Sequence, residues 1–181
     1  MSLLASVTLA CFAALELGLL VRDALHGKGG RDRDRGSRPL LALSLGAAIG
    51  IAVATASTAP PVALEAVGVA VMWLGLAVRV SAVAALGAAF RTTVEVEPGQ
   101  VVVSSGPYRW IRHPSYLGLL LVVVGFGLAA GSAPAVVACL VLPLPALVRR
   151  IQLEEAELSR VLGDRYRTYQ ARTARLVPGL W

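Results

Sequence analysis

Cysteine and charge are both scarce in this chain. Its two cysteines, Cys11 and Cys139, both fall inside apolar runs. They lack metal-ligand spacing, so they read as buried small hydrophobes, leave redox chemistry no footing and give no reason to expect a metal site. Charged residues make up 15% of the 181 positions. They gather between long runs that carry almost none. A basic n-region is also missing: Arg22 follows the first apolar run, Leu3 to Val21, instead of preceding it. That run is therefore expected to be a retained helix and not a cleaved signal peptide.

What the chain has in abundance is apolar sequence, 56% of its residues. Its mean hydropathy is +0.71, whereas a soluble domain is ~45–50% apolar. A bilayer core ~30 Å thick needs ~20 apolar residues per spanning helix. Five runs are candidates, at roughly 3–21, 39–59, 62–86, 116–131 and 134–149, of which the fourth and fifth are short. Pro60-Pro61 separates the second from the third, because proline cannot continue a regular helix. Gly131-Ser132-Ala133-Pro134 makes the fourth and fifth a tight hairpin. The expected fold class is an all-α polytopic membrane protein with about five transmembrane helices and a C-terminal helical lid. No internal repeat is visible.

The net charge of +6 would suggest nucleic acid in a soluble protein. Here the basic residues mark cytosolic loops, and no nucleic-acid partner is expected. Loop 22–38, loop 87–115 and the tail after the fifth run hold the arginines apart from Arg79, which stands near one end of the third run, whereas the two tight turns hold no Lys or Arg. With five spans the three basic segments share one side, which puts the N-terminus outside and the C-terminus in the cytosol. Segment 29–38 reads as a flexible mixed-charge linker. Segment 92–105 alternates and is β-branched, as an extended stretch or small hairpin. Residues 150–171 have helical periodicity and are expected to prolong the fifth span out of the membrane, with a break at Gly163.

Two polar clusters adjoin spans. One runs from Gly106 to Gly118 and packs Arg109, Arg112, His113, Tyr108, Tyr116 and Trp110 before the fourth span. An interfacial anchor explains the Arg and Trp but needs no histidine, and Pro114 suits the first position of a helix. The other runs from Arg149 to Glu157, and by itself it reads as a solvated amphipathic helix. The hairpin makes their ends neighbours, so His113–Tyr116 should meet Arg150–Glu155. Such a cationic, aromatic and carboxylate set can bind a zwitterionic, ribose-bearing ligand. Glu16, inside the first span, is a further intramembrane acid. It could serve a transport or scaffold role, or only cap a helix contact.

The run Val103-Ser104-Ser105-Gly106-Pro107-Tyr108, then Arg112-His113-Pro114-Ser115-Tyr116-Leu117-Gly118, then Arg150, Glu154-Glu155, Leu162-Gly163-Asp164-Arg165-Tyr166, Tyr169 and Pro178 resembles the isoprenylcysteine carboxyl methyltransferase family over about residues 75–181. The resemblance implies an integral membrane enzyme that takes a methyl group from S-adenosylmethionine to a lipophilic acceptor, a carboxylate first. It implies one membrane domain, with two N-terminal spans over 1–61 and a methyltransferase core over 62–181. By motif, Gln100, Val101, Val102, Val103 and Tyr108 would border the cofactor, as would His113, Pro114, Ser115, Tyr116 and Glu155. Arg150 and Glu154 would face the substrate as catalytic residues, and Tyr166, Tyr169 and Arg172 would brace the lid. Similar C-terminal motifs occur in phospholipid N-methyltransferases, and a sterol-reductase-like fold shares a similar C-terminal half. The Arg-, Ala- and Gly-rich composition suggests a bacterial inner membrane and a small isoprenoid or lipid acid as acceptor.

Overall fold

The computed structural model describes residues 3–26, 36–92, 101–179 and 181. Most of the 29–38 linker, residues 93–100 of the extended stretch, and Gln100 with them lie outside the described residues. Among the described residues, seven α-helices follow one another: α1 (Leu3–His26), α2 (Ser37–Ala54), α3 (Val62–Leu86), α4 (Pro114–Ala129), α5 (Ala133–Val141), α6 (Pro143–Leu162) and α7 (Asp164–Gln170). Among the described residues the only β-pairing is an isolated parallel bridge, Ile111 with Ala174.

Among the described residues, four helical stretches are long and apolar enough to cross a membrane: Leu3–Asp23, Ser37–Ala54, Val62–Leu86 and Ala133–Leu162. The fifth crossing is the shorter α4, which runs antiparallel along α3. Large apolar side chains point outward from every long helix, among them Leu3, Leu17, Leu43, Trp73, Leu74 and Val137. Such a surface is stable only against lipid. Cys139 is buried as expected, but Cys11 is exposed. It sits on the outward face of α1, where the solvent is lipid and a small apolar side chain needs no partner.

Two spans differ from their expected limits. α2 stops at Ala54 instead of continuing to 59, because the backbone beyond it has other partners. Thr55 Oγ1 donates back to the Ile51 carbonyl at 2.8 Å, and Ser57 N donates to the Ala130 carbonyl at 2.8 Å. The chain thus pairs with the α4–α5 turn before Pro60-Pro61 starts α3. The last span is interrupted at Leu142, where Pro143 has no N–H to give. α6 then continues out of the apolar layer, as its periodicity requires.

The α3–α4 contact positions the site. A Cβ added at Gly75 would lie 2.7 Å from the Gly118 carbonyl oxygen, and one at Gly125 would lie 2.6 Å from that of Gly68. Two glycine pairs, seven residues apart on each helix, let the backbones touch. Since the helices are antiparallel, one turn past the Gly75–Gly118 contact brings Arg79 onto Ser115. The main core lies beyond that level, with Phe12, Met72, Leu119, Val122, Val123 and Phe126 at its centre.

Candidate active site

At the end of the bundle that carries the basic residues, a cavity of about 360 Å³ opens among α1, α2, α3, α4 and α6. Its roof includes Val101, Val102 and Val103 together with Tyr166 and Tyr169 of α7. Its lower walls are apolar, from Phe12, Leu45 and Leu119.

The inner polar wall is a relay through one hydroxyl. Arg150 Nε donates to Tyr116 Oη at 2.9 Å, and Tyr116 Oη donates to Glu154 Oε2 at 2.8 Å. Arg150 also donates from Nη1 to Ser37 Oγ at 3.1 Å and from Nη2 to the Thr92 carbonyl. Three elements therefore fix this buried guanidinium through neutral oxygens. The His113 and Tyr116 rings stack at 5.7 Å between centroids.

The outer wall is organised by Glu155. Its Oε1 accepts from Arg112 Nε at 2.8 Å and from His113 Nε2 at 3.3 Å, and its Oε2 accepts from Arg175 Nε at 2.9 Å. Burial alone would raise the pKa of this carboxyl, but the hydrogen bonds and charges of His113 and Arg112 outweigh it and hold the pKa at about 2, against an ordinary 4.5. An ionised carboxylate only accepts. His113 Nε2 therefore carries a proton, while its Nδ1 faces Glu154 Oε2 at 3.9 Å. The C-terminal segment closes over this wall: Arg112 N donates to the Ala174 carbonyl at 2.8 Å and His113 N to that of Arg175 at 3.0 Å. Tyr169 Oη ties the roof down by donating to the Tyr108 carbonyl at 2.7 Å. Burial pushes Tyr169 up to about 12 despite the Arg112 charge. Burial and then the charge of Glu154 raise Tyr108 well above the tyrosine range; Tyr166 rises likewise by burial and the charge of Glu155. The roof tyrosines are neutral donors at physiological pH.

A third cluster lies beside the cavity. Arg79 forks onto Glu16, Nε to Oε1 at 2.8 Å and Nη2 to Oε2 at 2.9 Å, and its Nη1 donates to the Ser115 carbonyl at 3.2 Å and to Ser115 Oγ. Glu16 is thus a paired wall residue.

The structure brings most of the expected residues together. Val101, Val102, Val103, Tyr108, His113, Ser115, Tyr116, Arg150 and Glu154 all line the cavity. Pro114 stands behind the lining as the first residue of α4, and Glu155 stands behind it as the brace just described. Gln100 falls outside the described residues. Sequence reasoning missed the Glu16–Arg79 fork, and with it Ser37 and Thr92 as ligands of Arg150. The fork had a signal: opposite charges stand in two apolar runs at matching depth, six residues before Arg22 and seven before the end of α3.

The profile of the isoprenylcysteine carboxyl methyltransferase family matches residues 67–160, just over half of the chain. The chain belongs to this family. The matched stretch holds Arg79, the His113–Tyr116 block, Arg150, Glu154 and Glu155, and leaves out α1, α2 and α7. Over 117 residues the chain is 29% identical to a protein-S-isoprenylcysteine O-methyltransferase of Tribolium castaneum, covering 64% of this chain and 42% of that protein. It is 30% identical over 113 residues to protein-S-isoprenylcysteine O-methyltransferase A of Arabidopsis thaliana, covering 61% and 57%. Its fold is similar to the solved structure of the eukaryotic intramembrane Ras methyltransferase, isoprenylcysteine carboxyl methyltransferase, with a TM-score of 0.61 and 28% identity over 65% of this chain and 43% of that one. The chain spans about half the length of the curated family relatives it matches.

Proposed function

We propose that this chain is an integral membrane methyltransferase that uses S-adenosylmethionine as methyl donor and the carboxylate of a lipophilic molecule as acceptor. The observation that carries this reading is the Arg150–Tyr116–Glu154 relay, held where the polar walls of the cavity meet its apolar lower chamber. The two families of contacts suit a water-soluble donor above and a lipid-borne acceptor below.

When bound, S-adenosylmethionine supplies an electrophilic methyl group on a sulfonium. The residues present fit it. Val101–Val103 and the neutral tyrosines offer an apolar, hydrogen-bonding roof for a nucleoside, and Thr92 Oγ1 is buried at the cavity wall with no hydrogen-bond partner. Tyr108, His113, Ser115 and Tyr116 complete the binding set, Gln100 adjoins it in sequence, and Pro114 and Glu155 support it from behind.

The acceptor sets the rest. A carboxylate is ionised near neutral pH, so the site needs no strong base. It needs alignment to within ~3–3.5 Å and exclusion of water. Arg150 attracts and orients the carboxylate, and Glu154 positions Arg150 through Tyr116. The described lining carries Arg38, Arg79, Arg91, Arg112 and Arg150 against Glu16 and Glu154. That excess favours an anionic acceptor over an amine.

The distribution of basic residues supports a site on the cytosolic face with the N-terminus outside, and the Arg-, Ala- and Gly-rich composition supports a bacterial inner membrane. Residues 1–61 and 62–181 act as one membrane unit. The test is transfer of labelled methyl from S-adenosylmethionine to a membrane lipid extract and to defined acids and amines. A base-labile methyl ester is expected, with turnover lost in Arg150→Ala and Glu154→Ala while both variants still insert. Labelled amines instead would turn the reading to an N-methyltransferase, and normal turnover in both variants would remove their assigned roles.

A further inference from the structure

α1 lies outside the family match, yet it lines the cavity with Phe12, Glu16 and Leu20. These residues stand four apart, so they form one stripe, each step about 6 Å along the helix. Glu16 marks the polar level through its fork with Arg79. Phe12 is one turn deeper, and there the cavity ends. Phe12 is 7% exposed and belongs to the main core. Leu45 of α2 and Leu119 of α4 close the same level. Beyond them Met72, Val122 and Phe126 have no exposed surface, so no channel continues toward the centre of the bundle. A volume of about 360 Å³ lies near the lower end of the ~300–1,000 Å³ usual for a ligand pocket, and on the methyltransferase reading donor and acceptor head share it.

We infer that Phe12 is the floor of the acceptor chamber and restricts the acceptor to a short branched acid of one or two isoprene units. The inference rests on the methyltransferase reading and deepens it: acceptor length is set by a helix outside the part of the chain that the family profile describes.

The experiment compares dimethylacrylic, geranic and farnesoic acids as acceptors of labelled methyl in wild type, Phe12→Ala and Phe12→Leu, in membranes. Wild type should favour the two shorter acids over farnesoic acid by about tenfold or more in kcat/KM, since each misfitted group in an apolar pocket carries such a factor. Phe12→Ala should raise farnesoic acid relative to dimethylacrylic acid by about the same factor, with Phe12→Leu intermediate. If Phe12→Ala does not fold, Phe12→Leu and Leu45→Ala carry the comparison. Equal rates on the three acids in wild type, or a length profile unchanged in every folded variant, overturn the inference; the tail then leaves sideways between α1 and α2. Labelling of other lipids but of none of the three acids also overturns it and leaves the methyltransferase reading standing. No labelling of any lipid removes that reading, and the inference falls with it.

Discussion

Tyr116 joins the two groups expected to carry the chemistry. Its hydroxyl accepts from Arg150 and donates to Glu154. Tyr116→Phe keeps the ring that stacks on His113 and removes only this link. Arg150 then loses one of its fixed acceptors and Glu154 its donor, so kcat should fall about tenfold or more, the scale of a mispositioned catalytic group, with the KM for S-adenosylmethionine little changed. Steady-state kinetics on reconstituted protein checks this; an equal rise in KM would place Tyr116 in donor binding instead. Glu155 makes a different kind of prediction. Its pKa in the fold, about 2, lies below the ordinary 4.5. A lowered acid stabilises the native state above its unfolded value and loses that contribution as pH falls through its folded value. The loss falls between pH 4.5 and 2 and amounts to on the order of 3 kcal/mol. Wild-type melting in detergent should drop across that window, and Glu155→Gln, which has nothing to titrate there, should start lower and decline less.

At the scale of helices, the site depends on a backbone contact that has no chemistry of its own. Gly75 and Gly118 touch, and that contact sets Arg79 against Ser115. Gly75→Val must push α3 from α4, at a cost of about 1–3 kcal/mol for overpacking, and should reduce turnover without altering any polar residue. The Arg79–Glu16 fork then links α1 to this pair. Glu16→Ala leaves a buried guanidinium unpaired, which costs about 3–5 kcal/mol, whereas Glu16→Leu with Arg79→Met together should be less harmful to melting than Glu16→Ala alone. If the double variant is the worse of the two, Glu16 does not serve mainly to compensate Arg79. The hydropathy of each run and the proline pair made the spans legible, because lipid accepts only long apolar helices with internally paired backbones. The hairpin likewise made the meeting of His113 with Glu155 legible. The end of α2 was not, because Ser57 and Ala130 meet only after the bundle has assembled. The break at Leu142 was readable from Pro143 but is easily overridden in a long apolar run. Phe12 gave no sign at all: one aromatic in an apolar helix looks the same whether it faces lipid, core or substrate.

For the molecule as a whole, the C-terminal segment is what turns an open bundle end into an enclosed site. It supplies Ala174 and Arg175 as backbone partners of Arg112 and His113, and the Arg175 side chain as the third ligand of Glu155. Arg112 in turn reaches the Gln170 and Thr173 carbonyls. None of these contacts lies between spans, so the bundle should insert without them. A chain ending after Gln170 should therefore reach the membrane in normal amount and yet bind S-adenosylmethionine at least about tenfold more weakly, a loss equivalent to one charged hydrogen bond or more. Arg175→Ala, which keeps the backbone pairing and removes one bond to Glu155, should fall between this truncation and wild type. Equilibrium binding of labelled S-adenosylmethionine to membranes separates the two steps, because insertion is scored independently on the same preparation. Undiminished binding by the truncated chain would mean that the roof formed by Val101–Val103 and Tyr108 holds the donor unaided, and that the tail only shields it from water.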